Sequence, residues 1–213
     1  MYLPTHFEET RVEVLHALMR DHPFATLVTT TKGGAGLTAN HLPLHLEPET
    51  GPFGVLQGHV ARANPVWQQA AGSEVLVVFH GPQAYVTPSW YETKREHGKA
   101  VPTWNYVVVH AHGRLRTIDD PDWLLGNLEA LVAHHEAGFA EPWQISDAPP
   151  DYIDKMLTAI IGIEIELTGL KGKWKISQNQ PSVNRAGVVA GLRELGTADA
   201  LAMAELVAGT LVP

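Results

Sequence analysis

The chain has 213 residues, of which 45% are apolar and 18% charged, with a net charge of −8 at pH 7 and no cysteine. That length supports one sizeable core, no apolar run approaches the roughly 18 residues of a membrane span, and disulfides, thiolate metal sites and cysteine nucleophiles are excluded. The acidity repels a nucleic-acid backbone unless a local basic patch offsets it.

The opening MYLPTHFEET lacks the basic and apolar regions of a secretory signal, so the expected compartment is the cytoplasm. Thr5 with Glu8 matches a capping box, and Val14, Leu15, Leu18 and Met19 predict a helix over 6–20 that Pro23 stops. FATLVTT (24–30), a KGGAG turn and LTANHLPLHLE (37–47) predict a hairpin, in which Pro43 belongs where its strand lacks a partner or bulges. Strands follow at 54–61, 74–79, 83–87 and 104–117, with His80-Gly81-Pro82 as the turn between the second and third. In the last of them Val107, Val109, Ala111, Gly113 and Leu115 share one face, which marks a core side.

Asp120 and Pro121 predict the cap and first turn of a helix with Leu124, Leu128, Leu131 and Val132 as its stripe, and 151–160 reads as a second, shorter helix. Strands return at 161–169 and 173–178. Two Ala-rich helices after Pro181, divided at Gly196-Thr197, complete the chain. The class is mainly β within α+β, and seven or eight antiparallel strands in hairpin-sized steps predict a small barrel rather than a doubly wound sheet.

Four stretches carry chemistry. In GHVARANPVW (58–67), Asn64 and Pro65 suit the start of a helix whose free N–H groups, together with the Arg62 fork, would seat an oxyanion; a plainly capped helix with Arg62 in solvent explains the same letters. Residues 82–106 mix Tyr85, Trp90, Tyr91, Trp104 and Tyr106 with Gln83, Ser89, Thr103 and Asn105, as a flat heteroaromatic ligand would require, or as the end of a barrel would. Lys171, Lys173 and Lys175 lie on one strand face, either an anion-stabilising row or a protected edge. His110 and His112 share a strand face and His134-His135-Glu136 is superficially metal-like, but adjacent helical residues diverge by about 100°, so no metal site is assigned. No nucleophile stands beside a base, and no catalytic residue is assigned.

The ordered blocks NHLPL, GHVARANPVW, FHGPQAYVTPSWY, VPTWNYVVVHAHG and GKWKISQNQP resemble the PaiB family of FMN-binding negative transcriptional regulators. That resemblance implies a split β-barrel of about six antiparallel strands, with N-terminal, inserted and C-terminal helices around it. It places the barrel domain at 1–180 and a helical extension at 181–213, packed on the barrel or on a partner. It further implies a homodimer formed through the barrel, with FMN at the interface and its phosphate at His59, Val60, Ala61, Arg62 and Asn64. Asn40, His41 and Leu42 would line the neighbouring strand, Gln83, Tyr85, Trp104 and Asn105 would approach the isoalloxazine, and Lys175, Ser177 and Gln178 would come from the C-terminal strand of either subunit. Besides regulation through DNA, a flavin-dependent oxidoreductase of unassigned substrate and a haem-binding or haem-degrading protein fit the same fold.

Overall fold

A computed structural model of the chain describes residues 1–31 and 36–211. Two compact units are interleaved in sequence: Met1–Leu15, His80–Val109 and Lys171–Pro213 form the first, and His16–Phe79 and His110–Leu170 the second.

The second unit holds most of the sheet. Strands β2 (Phe24–Thr30), β3 (Leu37–Pro43), β4 (His45–Glu47) and β5 (Val55–Ala61) combine with β6 (Glu74–Val86), β7 (Thr103–Ile118) and β8 (Ile160–Lys175) in the order β3-β2-β6-β7-β8-β5-β4. The hairpin of β2 and β3 pairs Thr30 with Leu37 and Phe24 with Pro43, and its turn at 32–35 lies outside the described residues. Pro43 closes an edge strand, where its missing N–H breaks no ladder. Against β8, β5 pairs Leu56 with Ile165 and Val60 with Ile161, and these four side chains are buried. β7 passes so close to β8 that a Cβ on Gly113 would meet the Glu166 carbonyl at 2.5 Å. The predicted face of β7 is buried from Val107 to Leu115.

Helices α4 (Pro121–Glu136) and α5 (Pro150–Thr158) belong to this unit. Asp120 caps α4 as its sequence predicts, accepting from the N–H groups of Asp122 and Trp123. The first unit holds β1 (Glu8–Glu9), the one-turn helix α3 (Lys94–His97), α6 (Ser182–Leu195) and α7 (Ala198–Gly209). Gly196 adopts φ 66° and Thr197 caps α7, so the predicted break between the C-terminal helices stands.

Three predicted boundaries change. Glu8 does not cap a helix over 6–20: Glu8 and Glu9 pair with Lys173 and Gly172 as β1, and the helix α1 runs Val12–Asp21. Its start is organised by Glu9, whose carboxylate accepts from the backbone and guanidinium of Arg11. His80-Gly81-Pro82 is not a turn, because β6 runs straight through it; β2 pairs only with 76–78, so that ladder asks nothing of Pro82. Likewise β8 continues through Gly169 where two strands were expected.

Candidate functional site

In the second unit, the corner after β5 is built differently from the oxyanion seat that its sequence suggests. Asn64 does cap the following turn, its Oδ1 accepting from Val66 N at 3.0 Å, but α2 (Val66–Gln69) is a single turn. So short a helix aligns too few peptides to hold an anion at its start. The Arg62 fork is also committed. Nη1 and Nη2 donate to the two carboxylate oxygens of Asp119 at 2.9 and 2.6 Å, Nε donates to the Thr158 carbonyl, and Nη2 also donates to that of Ile160. Four of its five N–H hydrogens are therefore used within the protein. The pair draws the Asp119 carboxyl below its ordinary range and raises the guanidinium. A cavity of about 410 Å³ beside it sets Arg62 against two carboxylates, Asp119 and Asp154, which disfavours a phosphate.

The neighbouring predicted residues divide between core and surface. Leu42 and Val60 are buried core side chains, whereas Ala61 is exposed at the end of β5. His41 is exposed and shares a hydrogen bond with Thr26 at 3.1 Å. Asn64 Nδ2 donates to Asn40 Oδ1 at 2.9 Å, which leaves Asn40 Nδ2 without a partner. The His59 imidazole is held below its ordinary range by burial, opposed by the Asn127 amide, although neither side chain reaches hydrogen-bonding geometry.

The first unit brings a second set together. A cavity of about 430 Å³ is walled by the end of β8, the start of β7 and the segment 91–103. Asn105 is 1% exposed; its Nδ2 donates to Ser177 Oγ at 2.8 Å, while its Oδ1 meets no donor. Ser177 holds φ 65°, a left-handed backbone uncommon for a residue with a Cβ. Lys175 Nζ donates to the Trp104 carbonyl at 2.6 Å and to Thr103 Oγ1, which fixes its ammonium at the cavity wall. Burial, and then the charge of Lys173, hold its proton affinity below the ordinary lysine range.

Asn184 ties the far side of this cavity, accepting from Thr93 N at 3.2 Å and donating to Thr93 Oγ1 at 2.9 Å. His97 and Lys99 join Lys175 in the lining, and among the described residues no carboxylate does. In a chain of charge −8, a cavity whose described lining has two lysines, a histidine and no acid attracts anions. Sequence reasoning missed Thr93, His97, Lys99 and Asn184; the basic run KREHGK at 94–99 was the signal available.

The remaining predicted residues do not join that cavity. Gln178 turns its amide back on the chain, accepting from Ile176 N at 2.8 Å and donating to the Trp174 carbonyl at 2.5 Å. Trp104 is 48% exposed where Asn105 is buried, because successive strand residues face opposite sides, and Gln83, Tyr85 and Trp104 line a separate groove. Among the described residues no group of three or more His, Cys, Asp or Glu is placed to hold a metal ion.

The model of a protein family described as "Putative FMN-binding domain" matches residues 1–169. Protease synthase and sporulation protein PAI 2 of Bacillus subtilis is 32% identical over 207 residues, covering 97% of this chain and 96% of that protein. An uncharacterized protein of Emericella nidulans is 38% identical over 231 residues, with 92% of each chain covered. Among solved structures, the FAD and heme binding protein from Mycobacterium smegmatis superposes with a TM-score of 0.57 at 19% identity, over 79% of this chain and 73% of that one.

Proposed function

Because the chain belongs to the FMN-binding domain family, with the split-barrel fold and FMN as its cofactor, we propose that the flavin is held in the cavity of the first unit and that the protein is a homodimeric negative transcriptional regulator of the PaiB type. The observation that carries the site is a buried acceptor without a donor, Asn105 Oδ1, in a cavity whose charged lining is Lys175, Lys99 and His97.

FMN has the complementary groups. The pyrimidine edge of its ring presents an N–H between two carbonyls, and its phosphate is a dianion. Asn105 would accept from the ring N–H and Lys175 would donate to the neighbouring ring oxygen. The phosphate would meet Lys99 and His97. A volume of about 430 Å³ lies within the usual range for a cofactor site. Bound there, FMN supplies hydride and single-electron transfer, and the chain supplies binding, orientation and charge.

The regulatory part rests on the five ordered blocks shared with the PaiB family and on the likeness to the Bacillus subtilis sporulation protein. A cytoplasmic homodimer is part of the same reading. The net charge of −8 weighs against direct DNA contact except through a local basic patch. A second reading, flavin-dependent oxidoreductase, is favoured by Lys175, whose ammonium at the cavity wall would stabilise the negative charge that reduction adds to a flavin bound there.

The visible spectrum of the purified protein tests the cofactor: flavin bands support the reading, and a haem Soret band in their place overturns it. A mobility shift at low ionic strength with promoter DNA, run with and without FMN, separates direct regulation from none. Bleaching of the flavin band by a nicotinamide donor would favour the enzyme.

A further inference from the structure

On the face of β7 away from Asn105, Trp104 and Tyr85 form an open aromatic corner. Each is 48% exposed, their ring centroids lie 6.0 Å apart and their planes cross at 65°. Trp104 Nε1 donates to Gln83 Oε1 at 3.2 Å, which uses the indole's one N–H and fixes its plane. What the ring still offers a ligand is its π face. The groove, about 440 Å³, continues past Trp90 to the start of α7, where Asp199 is exposed. Apart from the Tyr85 phenol, Asp199 is the one ionisable group in the lining, and its carboxylate has no partner among the described residues.

We propose that this groove binds a small organic cation of the quaternary-ammonium class. Three observations choose that occupant. The faces of tryptophan and tyrosine attract a cation through the ring quadrupole, most strongly when its charge is spread over methyl groups that also bury against the rings. Asp199 supplies the fixed negative charge, and among the described residues the lining holds no lysine, arginine or histidine to repel a cation. The chain's charge of −8 raises the local concentration of cations at such a surface. The same features disfavour the phosphate of FMN in the groove, since it would face Asp199 with no described cation in the lining to pair with. This site is independent of the flavin cavity proposed above, because Trp104 lies on the opposite face of β7 from Asn105 and the groove shares no described lining residue with the Lys175 cavity.

The test is isothermal titration of the full-length, FMN-loaded protein with choline and with 3,3-dimethyl-1-butanol, the neutral molecule of the same shape. Choline should bind saturably and about fivefold or more tightly than the alcohol. Asp199→Asn, a change at an exposed position, should weaken choline by about three- to tenfold while flavin retention stays unchanged. Trp104→Leu should weaken it at least as much. Equal binding of the two probes, insensitivity to Asp199→Asn, or no saturable choline binding would overturn the proposal. Were the rings covered by a second copy of the chain, choline would fail to bind and Trp104→Arg would yield monomers, which also overturns it.

Discussion

Asn105 and Ser177 are joined by one hydrogen bond of 2.8 Å, from the amide Nδ2 to the hydroxyl, while the carbonyl oxygen of the same amide is buried with no donor in reach. An acceptor left in that state costs about 1–3 kcal/mol. The left-handed backbone of Ser177 is a second local cost at the same place.

Asn105→Ala therefore acts differently with and without flavin. Without FMN it loses the Ser177 bond but also removes the unmet acceptor, so the net loss is small, about 1 kcal/mol. With FMN it loses a satisfied contact. The rise in melting temperature on adding FMN should shrink markedly in the variant; an undiminished rise would remove Asn105 from the site.

Gly187→Ala tests how α6 is seated. An added methyl there meets the backbone carbonyl of Trp90, which has no side chain to swing aside, and the cost should be about 1–3 kcal/mol in chemical denaturation. A variant as stable as the parent would show that α6 is not held against Trp90.

His59 gives a pH dependence of stability. Its folded proton affinity is depressed by burial, so its neutral form is fully compatible with folding above the unfolded value of about 6.5. As pH falls through that value towards the folded one, the unfolded chain takes up a proton that the folded chain resists, and stability declines. Between about pH 7 and pH 5 the parent should lose more unfolding free energy than His59→Gln. Parallel curves would contradict this.

Local signals were legible in the sequence and pairings over distance were not. The alternation from Val107 to Leu115, the Asp120-Pro121 cap and the Gly196-Thr197 break each depend on neighbouring residues, and each is found where its letters put it. His80-Gly81-Pro82 and Gly169 read as punctuation, yet both lie inside long strands, because tertiary pairing overrides turn preference. Glu8 reads as a capping residue because nothing nearby in the sequence reveals its pairing with Lys173. At the candidate site the same limit applied. Arg62 looked free because Asp119, 57 residues on, is invisible to local reading. Asn105, Lys175 and Ser177 are candidates that the shared blocks supply, whereas the placement of His97 and Lys99 beside them needs the fold of the segment 91–103 over the cavity.

The central claim is that FMN is gripped by the Lys175 cavity and not by the Arg62 corner. Titration of FMN, followed by quenching of its fluorescence, should be compared for the parent chain, Lys175→Met and Arg62→Met, each at a temperature where it is folded. Lys175→Met should weaken binding by about 1.5–3 kcal/mol, roughly ten- to hundredfold, through loss of a charge-assisted contact. Arg62→Met should lower the melting temperature, since it breaks the Asp119 pair and two carbonyl contacts, and leave FMN affinity unchanged. The reverse pattern, with flavin lost from Arg62→Met and retained by Lys175→Met, would contradict the account.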